Sequence, residues 1–443
     1  MTQDKLARQF SVFLRWRPLT NDEVAGEITR GSQNQDTSLR AVSISAPAKR
    51  PWTSPPAFKG SFEPADDNQV LFDTIVASAL PKVLNGASCN YFAYGHSGSG
   101  KTHTMIGYDY DSADRMGLCV AAARKLFESL SILNQEGSEH QLGVGFSLFE
   151  VRQKSAFDLL NRRTQCHIRE GPDGKTHIRG PTEMLEGGKV RVQPIAQRSC
   201  WTYDSFKEEM RTSLGLRAVG SSSVHDQSSR THAIITLEII NTALAEARQA
   251  VADRQSELVP VGAHATTVNI EEQTKGYIQT PDGGYALNPD YQINQERIDA
   301  AEAEKAKFEA RVSAAEEHVA EVLGSHRSLG GKFVFVDLAG AEYQEEKGAP
   351  SQSLRGQTPQ ERQEGRQINT DLLALKEVIR AYASGQTRIP FRSSPLTMVL
   401  REHFLGSRNG SSAMIVTVSP SVDQYAATLN SLKFGSLVGV ASV

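Results

Sequence analysis

The sequence is poor in cysteine, carries no clear excess of either charge and contains no long apolar run. The 48 basic and 51 acidic residues leave a net charge of −3, which gives no reason to expect nucleic acid or a membrane as partner. No apolar run approaches the ~18 residues that a membrane span needs, and residues 1–14 lack the apolar core of a signal peptide. We therefore expect a soluble, intracellular protein without nucleic-acid or membrane partners.

The four cysteines lie far apart and form no Cys-x-x-Cys pair: Cys89, Cys119, Cys166 and Cys200. This usage fits a reduced cytosolic interior and predicts no metal site built from thiolates. The chain has 443 residues, of which 39% are hydrophobic. That is enough for one large α/β domain or for up to three smaller domains.

The stretch Tyr94–Met105 contains the pattern G-x-x-x-x-G-K-[ST], with Gly95, Gly100, Lys101 and Thr102 at the fixed positions. Glycines allow backbone N–H groups to turn inward around phosphates, the lysine reaches the β- and γ-phosphate oxygens, and the threonine hydroxyl ligates Mg²⁺. A Gly/Ser-rich stretch is more often only a flexible loop. Here residues 88–94 read as a buried strand and a helix is predicted from Thr102 onward, which favours a phosphate-binding loop.

Two further segments carry candidate chemistry. Residues 331–340 predict a buried strand that ends in D-x-x-G, with Asp337 and Gly340 as the fixed residues. An acid at that end of a central strand, beside a phosphate loop, suits a Mg²⁺ site, and the glycine N–H can hydrogen-bond a γ-phosphate. The serine-rich run 220–232 leads directly into a β-branched strand over 233–240, with Arg230 and His232 at the junction. It is therefore not a plain linker.

The remaining pattern is an alternation of strands and helices, which predicts an α/β fold with a central, mostly parallel sheet covered by helices on both faces. Residues 10–18 predict a strand whose Arg15 and Arg17 lie on one face, which by itself indicates a solvated edge. Residues 31–58 indicate an irregular loop. Helices are predicted over 68–86, 117–133, 202–214, 368–383, 395–404 and 426–441, strands over 144–151 and 413–419, and a hairpin over 166–180.

Residues 241–329 differ in composition and are rich in Ala, Glu, Arg and Gln. Apolar positions from Ile298 to Val322 recur at spacings of three and four, with Lys305 as one charged interruption, and a shorter repeat covers residues 243–258. We read an antiparallel helical hairpin inserted in a loop of the main domain. A partly disordered charged insertion fits equally well. The hairpin is also a candidate docking surface for a partner or for the main domain itself.

Taken in order, the phosphate loop, Ser-Ser-Arg-x-His (Ser228 to His232) and Asp-Leu-Ala-Gly-x-Glu (Asp337 to Glu342) resemble a kinesin motor domain. The similarity covers nearly the whole chain except 241–329. Arg15-x-Arg17-Pro18-Leu19, Ile368-Asn369 and Ile389-Pro390-Phe391-Arg392 resemble further blocks of that family.

The resemblance implies ATP hydrolysis with Mg²⁺, coupled to microtubule binding and to a place on the cytoskeleton. It assigns nucleotide contacts to Arg15, Arg17, Pro18, Gly95, His96, Ser97, Gly98, Ser99, Gly100, Lys101, Thr102 and His103. Hydrolysis is assigned to Lys101, Ser229, Arg230, Gly340 and Glu342, and Mg²⁺ to Thr102, Ser228 and Asp337. The microtubule face would retain Arg380, Arg388, Arg392 and Arg401.

Several positions depart from the family pattern. His225 replaces an asparagine, and Ala341 and Tyr343 replace a serine and an arginine, which puts the ATPase rate in question. Thr370-Asp371 and Pro395 remove lysines and a serine from the microtubule face, so we expect weaker, salt-sensitive binding. Residues 365–369 and 372–380 lean toward the microtubule-depolymerising class, whose Lys-Val-Asp tip is absent from residues 31–62.

Alternatives remain open. A kinesin-like binding module without useful turnover would bind nucleotide or microtubules only. Another P-loop NTPase, such as a GTPase, ranks last because no Asn-Lys-x-Asp tetrapeptide occurs in the later region. Since the chain ends at the close of the last predicted helix, we expect a monomeric motor domain, and dimerisation within a longer chain stays open.

Overall fold

The structure, a computed structural model, describes residues 10–20, 23, 27–34, 39–135, 141–171, 174–218, 230–279, 283–341, 359–405 and 410–441. The chain forms two compact units. The first comprises Met1–Arg179, Ile195–Ile240 and Ser328–Val443, and the second comprises Gly180–Pro194 and Asn241–Arg327. Within the described residues, no helix is long and apolar enough to cross a membrane.

Seventeen strands are described, and they follow the chain in this order: β1 (Phe10–Trp16), β2 (Thr29–Asn34), β3 (Arg40–Ser45), β4 (Trp52–Thr53), β5 (Gly60–Phe62), β6 (Ser88–Tyr94), β7 (Gly143–Arg152), β8 (Ser155–Asp158), β9 (Thr164–Glu170), β10 (Thr176–Met184), β11 (Val190–Pro194), β12 (Arg198–Cys200), β13 (His232–Ile240), β14 (Tyr277–Gln279), β15 (Tyr285–Leu287), β16 (Lys332–Asp337) and β17 (Ser412–Val418).

The α-helices among the described residues are α1 (Asn68–Leu71), α2 (Leu80–Val83), α3 (Lys101–Met105), α4 (Leu118–Gln135), α5 (Tyr203–Ala218), α6 (Thr242–Gly276), α7 (Gln295–Ser325), α8 (Pro359–Ala383), α9 (Pro395–Leu405) and α10 (Tyr425–Ala441). Shorter helical turns of π or 3₁₀ type cover Phe72–Val76, Ala77–Ala79, Glu186–Gly188, Phe391–Ser393 and Val422–Gln424.

The large sheet has the order β11-β10-β9-β8-β7-β13-β16-β6-β17-β1-β5, and β12 pairs with β7. Neighbours from β16 through β6, β17 and β1 to β5 are parallel. From β13 outward to β10, the pairs are antiparallel. The parallel part therefore lies around β6, which is buried along its whole length, as expected for a strand covered on both faces.

Helices cover both faces of this sheet. On one face, Leu14, Phe92 and Val336 belong to the same core cluster as Leu375 of α8 and Leu400 of α9. On the other face, α4 contacts β7 and β16, and the Phe206 ring of α5 stands edge-on to Phe146 of β7 with centroids 5.1 Å apart. The predicted α/β class, with a sheet between two helical layers, is confirmed.

The prediction for residues 31–58 was wrong. Strands β2, β3 and β4 form a separate antiparallel sheet, in which Val42 and Ile44 of β3 point inward and are buried. The segment has few of the β-branched residues that are typical of strands. Its many serines and glutamines therefore made the alternation of apolar and polar residues hard to recognise. The helix predicted over 68–86 is present but interrupted by the π and 3₁₀ turns between α1 and α2.

The second unit consists mainly of α6 and α7, which run antiparallel. Residues that contact each other have numbers that rise on one helix as they fall on the other: Ala265 and Val268 pack with Ile298 and Ala301, and Glu272 pairs with Arg297. Helix α6 continues through Pro260 to Gly276, although the sequence predicted its end near residue 258. The short hairpin β14–β15 follows α6.

Candidate functional site

The glycine-rich loop follows directly from β6 and turns sharply at Gly95. A side chain could not be placed there, because a Cβ would lie 2.2 Å from the carbonyl oxygen of Thr417 on the neighbouring strand. The loop ends at Gly100, which directly precedes α3. Its φ of +98° lies in the left-handed region that favours glycine. Ser99, also buried, shares a hydrogen bond with the Thr417 hydroxyl at 2.7 Å. The two fixed glycines thus meet local steric needs, as the motif predicts.

Lys101 lies inside the loop. Its Nζ donates to the carbonyl oxygens of His96 (2.8 Å) and Gly95 (3.1 Å), and its side chain is buried. Burial lowers the pKa of this ammonium to about 8, although the nearby Asp337 carboxylate opposes the shift. A buried cation whose hydrogen bonds within the described part of the chain go to carbonyl oxygens is well placed to exchange them for phosphate oxygens.

Thr102 joins the loop to the end of β16. Its hydroxyl donates to Asp337 Oδ2 at 2.8 Å, and the same carboxylate oxygen accepts from Arg217 Nη1 at 3.1 Å. The other oxygen, Asp337 Oδ1, is buried and has no hydrogen-bond partner among the described residues. Oxygen ligands of this kind suit Mg²⁺, so the predicted pair Thr102 and Asp337 is brought together.

Arg217 and Glu150 were missed by the sequence analysis. Arg217, near the end of α5, donates through Nε to Glu150 Oε1 at 2.9 Å, and Glu150 also accepts from the Thr231 hydroxyl at 2.7 Å. All three side chains are buried. No motif marks Arg217, but Glu150 is a lone carboxylate within the otherwise apolar stretch 148–151, and such a group demands a buried partner. That signal was available in the sequence.

The turn after β16 rests on the glycine-rich loop. The Ala341 N–H donates to the Gly95 carbonyl at 3.1 Å, and a Cβ on Gly340 would lie 2.8 Å from the backbone nitrogen of Ser97. Gly340 therefore lies against the loop, and its hydrogen bond to a γ-phosphate stays a prediction. Any movement of this turn must displace the loop, because the two backbones are in contact.

His232 connects the start of β13 with the same turn. Its Nδ1 accepts from the Ala339 N–H at 3.1 Å, which places the proton of the neutral ring on Nε2. Burial lowers the pKa of this imidazole to about 3. His96, in the loop itself, has a pKa lowered to about 4, mainly by burial. Both rings are neutral at physiological pH.

The residues predicted on the adenine side lie next to the loop. Arg15 Nη1 donates to the Thr104 hydroxyl at 2.7 Å, and Arg17 Nε donates to the Gly98 carbonyl at 2.8 Å. Pro18 directly follows β1, and the His103 ring is 5.7 Å from the ring of Tyr108. The solvated edge suggested for these arginines was wrong, because β1 lies between β17 and β5 and Arg15 is only 7% exposed.

Three predicted site residues, Ser228, Ser229 and Glu342, lie outside the described residues, as do His225 and Tyr343. Arg230 is described, and its Nη1 is 4.0 Å from Glu364 Oε2 on α8. Arg152 contacts the other oxygen of that carboxylate at 2.5 Å. The segment that ends in Arg230 is thus connected to the first turns of α8.

The four arginines predicted for the microtubule face are distributed over α8, α9 and the connection between them. Arg380 pairs with Glu377 on its own helix at 3.2 Å, and Arg388 is exposed. Arg392 and Arg401 both approach Glu170 of β9. The structure therefore places all four at the surface, two of them beside a common carboxylate.

A P-loop that leads from a central parallel strand into a helix, beside an acid at the end of the next strand, defines a nucleoside-triphosphate-binding α/β domain. The family model for the kinesin motor domain matches residues 15–263 and 307–439. The chain belongs to the kinesin motor-domain family.

Similar proteins agree with this assignment. Kinesin-like protein KIF24 is 28% identical in Mus musculus and 27% identical in Homo sapiens, each over 382 residues that make up 86% of this chain and 20% of the relative. The chain thus spans about a fifth of the length of these curated relatives. The C-terminal motor domain of Kar3 from Candida glabrata has the same fold, with a TM-score of 0.59 at 21% identity over 97% of this chain and 98% of that one.

Proposed function

We propose that this domain hydrolyses ATP with the help of Mg²⁺ and that its nucleotide state controls its affinity for microtubules. The observation that carries the proposal is the junction of Thr102 with Asp337, at 2.8 Å. It joins the phosphate loop to the strand end whose following turn, at Gly340, rests on the same loop. The loop that would bind the phosphates is therefore in direct contact with the turn that would move on hydrolysis.

Lys101, Thr102 and Asp337 form the phosphate end of the site. Lys101 would transfer its hydrogen bonds from loop carbonyls to the β- and γ-phosphates. Thr102 and Asp337 would hold Mg²⁺, together with Ser228. The buried Asp337 Oδ1, which has no partner among the residues that the structure describes, supports that assignment. When bound, the ion neutralises charge on the β- and γ-phosphate oxygens.

The base would lie against Arg15, Arg17, Pro18 and His103. Two contacts support this placement: Arg15 is fixed by Thr104 of α3, and Arg17 by Gly98 of the loop. Both contacts hold β1 beside the phosphate loop without help from the nucleotide. The loop residues from Gly95 to Gly100, His96 included, would supply backbone N–H groups to the phosphates.

Hydrolysis would depend on Ser229, Arg230, Gly340 and Glu342. In this proposal, Glu342 pairs with Arg230 when ATP is present and the pair orders the attacking water. The pair opens after phosphate leaves. Since phosphoryl transfer needs positioning and charge neutralisation more than covalent help, no covalent intermediate with a protein side chain is required.

The microtubule-binding surface would include Arg380, Arg388, Arg392 and Arg401. Arg380, Arg388 and Arg392 are exposed, and Arg401, whose side chain is 29% exposed, approaches the same carboxylate as Arg392, which supports this assignment. Binding should be weaker than a full set of family lysines would give, and it should fall with salt, because exposed charges are screened within ~8–10 Å at physiological ionic strength.

The test is steady-state ATP hydrolysis with and without microtubules, with Glu342→Ala as the control variant. Strong stimulation that the substitution abolishes supports the proposal. Nucleotide binding without microtubule stimulation of hydrolysis would instead establish a binding module with impaired turnover. The departures from the family pattern at Ala341, Tyr343 and Pro395 are the reason for considering this alternative.

A microtubule depolymerase is the second candidate. Residues 365–369 and 372–380, all within α8, carry the resemblance to that class. The two activities separate in one assay, in which stabilised microtubules are incubated with the domain and ATP and their lengths are followed by fluorescence microscopy. Shortening supports the depolymerase, whereas gliding over a coated surface without shortening contradicts it.

We also propose that residues 241–329 are an insertion in a motor domain that spans the rest of 1–443. The family model leaves 264–306 unmatched, and 241–327 fall in the second compact unit, which supports an added element. Replacing residues 243–323 with a short Gly/Ser linker should leave basal ATP hydrolysis unchanged. A lost or raised rate would show that the hairpin acts on the motor itself.

A further inference from the structure

Glu170 lies between two arginines of the proposed microtubule surface. Arg392 contacts it side-on, with Nε 2.7 Å from Oε2 and Nη2 2.6 Å from Oε1. Arg401 Nη1 lies 3.5 Å from Oε1 of the same carboxylate. A side-on pair of this kind uses two parallel hydrogen bonds, the strongest geometry between a guanidinium and a carboxylate.

The pair is accessible to solvent and hence to a partner. The Arg392 side chain is 77% exposed, whereas the Glu170 side chain is only 23% exposed. The carboxylate thus lies beneath the guanidinium, whose outer edge faces the surroundings. The hydrogen bonds from Arg392 also hold the pKa of Glu170 below its ordinary value, so the carboxylate is ionised at every pH at which the domain would work.

Arg401 has a second role. Its Nη1 donates to the carbonyl oxygen of Gly174, in the turn between β9 and β10, at 2.5 Å. It therefore connects that turn to α9. The described contacts of Arg392, by contrast, are all with Glu170. Of the two arginines, Arg392 is the one that a partner's carboxylate could take over with least disturbance of the fold.

We propose that Glu170 is an internal competitor for the acidic partner: it occupies Arg392 in the free domain and so lowers the affinity of this surface. The inference rests on the proposed microtubule function. On binding, the side-on pair of Arg392 with Glu170 is exchanged for a pair with a carboxylate of the partner. The free domain thus loses an ion pair for each one gained, and the net attraction is reduced.

The experiment is cosedimentation of the domain with taxol-stabilised microtubules at low ionic strength, using the isosteric variant Glu170→Gln. We expect Kd to fall by up to about fivefold, because an exposed ion pair of this kind opposes binding by up to about that factor. The gain should shrink as salt is raised, since both competing pairs are exposed.

Glu402→Gln is the matched control. Glu402 is exposed on α9 beside Arg401, so the substitution changes the net charge equally without touching the pair of Arg392 with Glu170. A gain in Glu170→Gln that exceeds the gain in Glu402→Gln supports the inference, and equal gains overturn it. Adding Arg392→Gln to the Glu170→Gln variant should abolish the gain.

The outcomes separate the inference from the function on which it rests. If wild-type domain binds microtubules and Glu170→Gln binds no tighter, or binds more weakly, the competitor role is wrong while the proposed function stands. If neither protein sediments with microtubules, both the proposed function and the inference fail. A thermal unfolding curve of Glu170→Gln that overlays that of the wild type shows that the comparison is made between folded proteins.

Discussion

Arg217 Nη1 donates to Asp337 Oδ2 at 3.1 Å, with both side chains buried. The same guanidinium donates through Nε to Glu150. One cation thus stabilises two buried carboxylates, one of which stands at the proposed Mg²⁺ site. Fold stability and the charge of the nucleotide site therefore depend on the same side chain.

Replacing Arg217 with glutamine should destabilise the domain by about 3–5 kcal/mol, because two buried carboxylates lose their common cation. Thermal or urea unfolding measures the loss. Arg211→Gln on the same helix is the control: its pair with Asp111 is exposed, so its effect should stay within about 0.5 kcal/mol. Equal unfolding midpoints for the two variants would refute the central role of Arg217.

Nucleotide affinity should fall as pH rises above about 8. Lys101 has its pKa lowered to about 8 by burial, and the bound phosphates require its charged form. Above that pKa, binding must therefore take up a proton, and Kd should rise by up to about tenfold per pH unit. Titration with a fluorescent nucleotide between pH 7 and 9.5 measures this.

Lys101→Arg serves as the control for that experiment, since a guanidinium stays protonated throughout the range. Its affinity should be lower overall but independent of pH. A flat profile in the wild-type protein would show that Lys101 is already charged, or is not a phosphate ligand.

Gly340→Ala should reduce ATP turnover by roughly 100-fold. The new Cβ would lie 2.8 Å from the Ser97 nitrogen, so the turn and the loop must separate, and displacements of about 1 Å cost that much in catalysis. Gly215→Ala, on α5 with open space around the position, should instead leave turnover unchanged and slightly stabilise the helix. Turnover is compared at saturating ATP, and normal rates in Gly340→Ala would contradict the close packing.

Asp371→Asn should stabilise the domain at pH 7.5 and less so at pH 5. Burial raises the pKa of Asp371 to about 6, although hydrogen bonds from Gln367 and Ser394 oppose the shift. A carboxyl whose folded pKa is raised favours folding while it is protonated, and this contribution is lost as pH rises through the window from about 4 to 6. Above it, the buried charge destabilises the fold by about 1–3 kcal/mol.

Differences in urea midpoint between wild type and Asp371→Asn, measured at pH 5 and 7.5, check the sign. A larger stabilisation at pH 5 than at pH 7.5 would show that Asp371 is ionised with a favourable partner.

The sequence was sufficient for the features whose signal is local. The phosphate loop, the strand before it and the placement of Asp337 follow from short motifs with strict steric needs, as the contact of Gly95 with Thr417 illustrates. The strands around β6 were also predicted, because their apolar runs are continuous.

Features that depend on distant partners were not predictable in the same way. Arg217 contacts Glu150 and Asp337, which are 67 and 120 positions away in the sequence. No local sequence pattern predicts which residues form such contacts. Helix α8 begins at Pro359, nine residues before the predicted start at Ile368, because the added turns are polar and show no apolar period. The apolar repeat predicted a helix end near residue 258, with the connection beginning at Gly262, but α6 continues through Pro260 and Gly262 to Gly276, supported along its length by α7.

The antiparallel arrangement of α6 and α7 has a consequence for the order of folding. Strands β13 and β16 are direct neighbours, with Glu238 opposite Lys332, yet about 90 residues separate them along the chain. Closing so long a loop from an unfolded chain costs about 4 kcal/mol of entropy. An antiparallel hairpin of two helices can form from its tip, where the contacting residues are near in sequence. Once formed, it brings the end of α7 close to the beginning of α6. If the hairpin forms early, β13 and β16 meet as if joined by a short connection, and the sheet need not wait for a rare encounter.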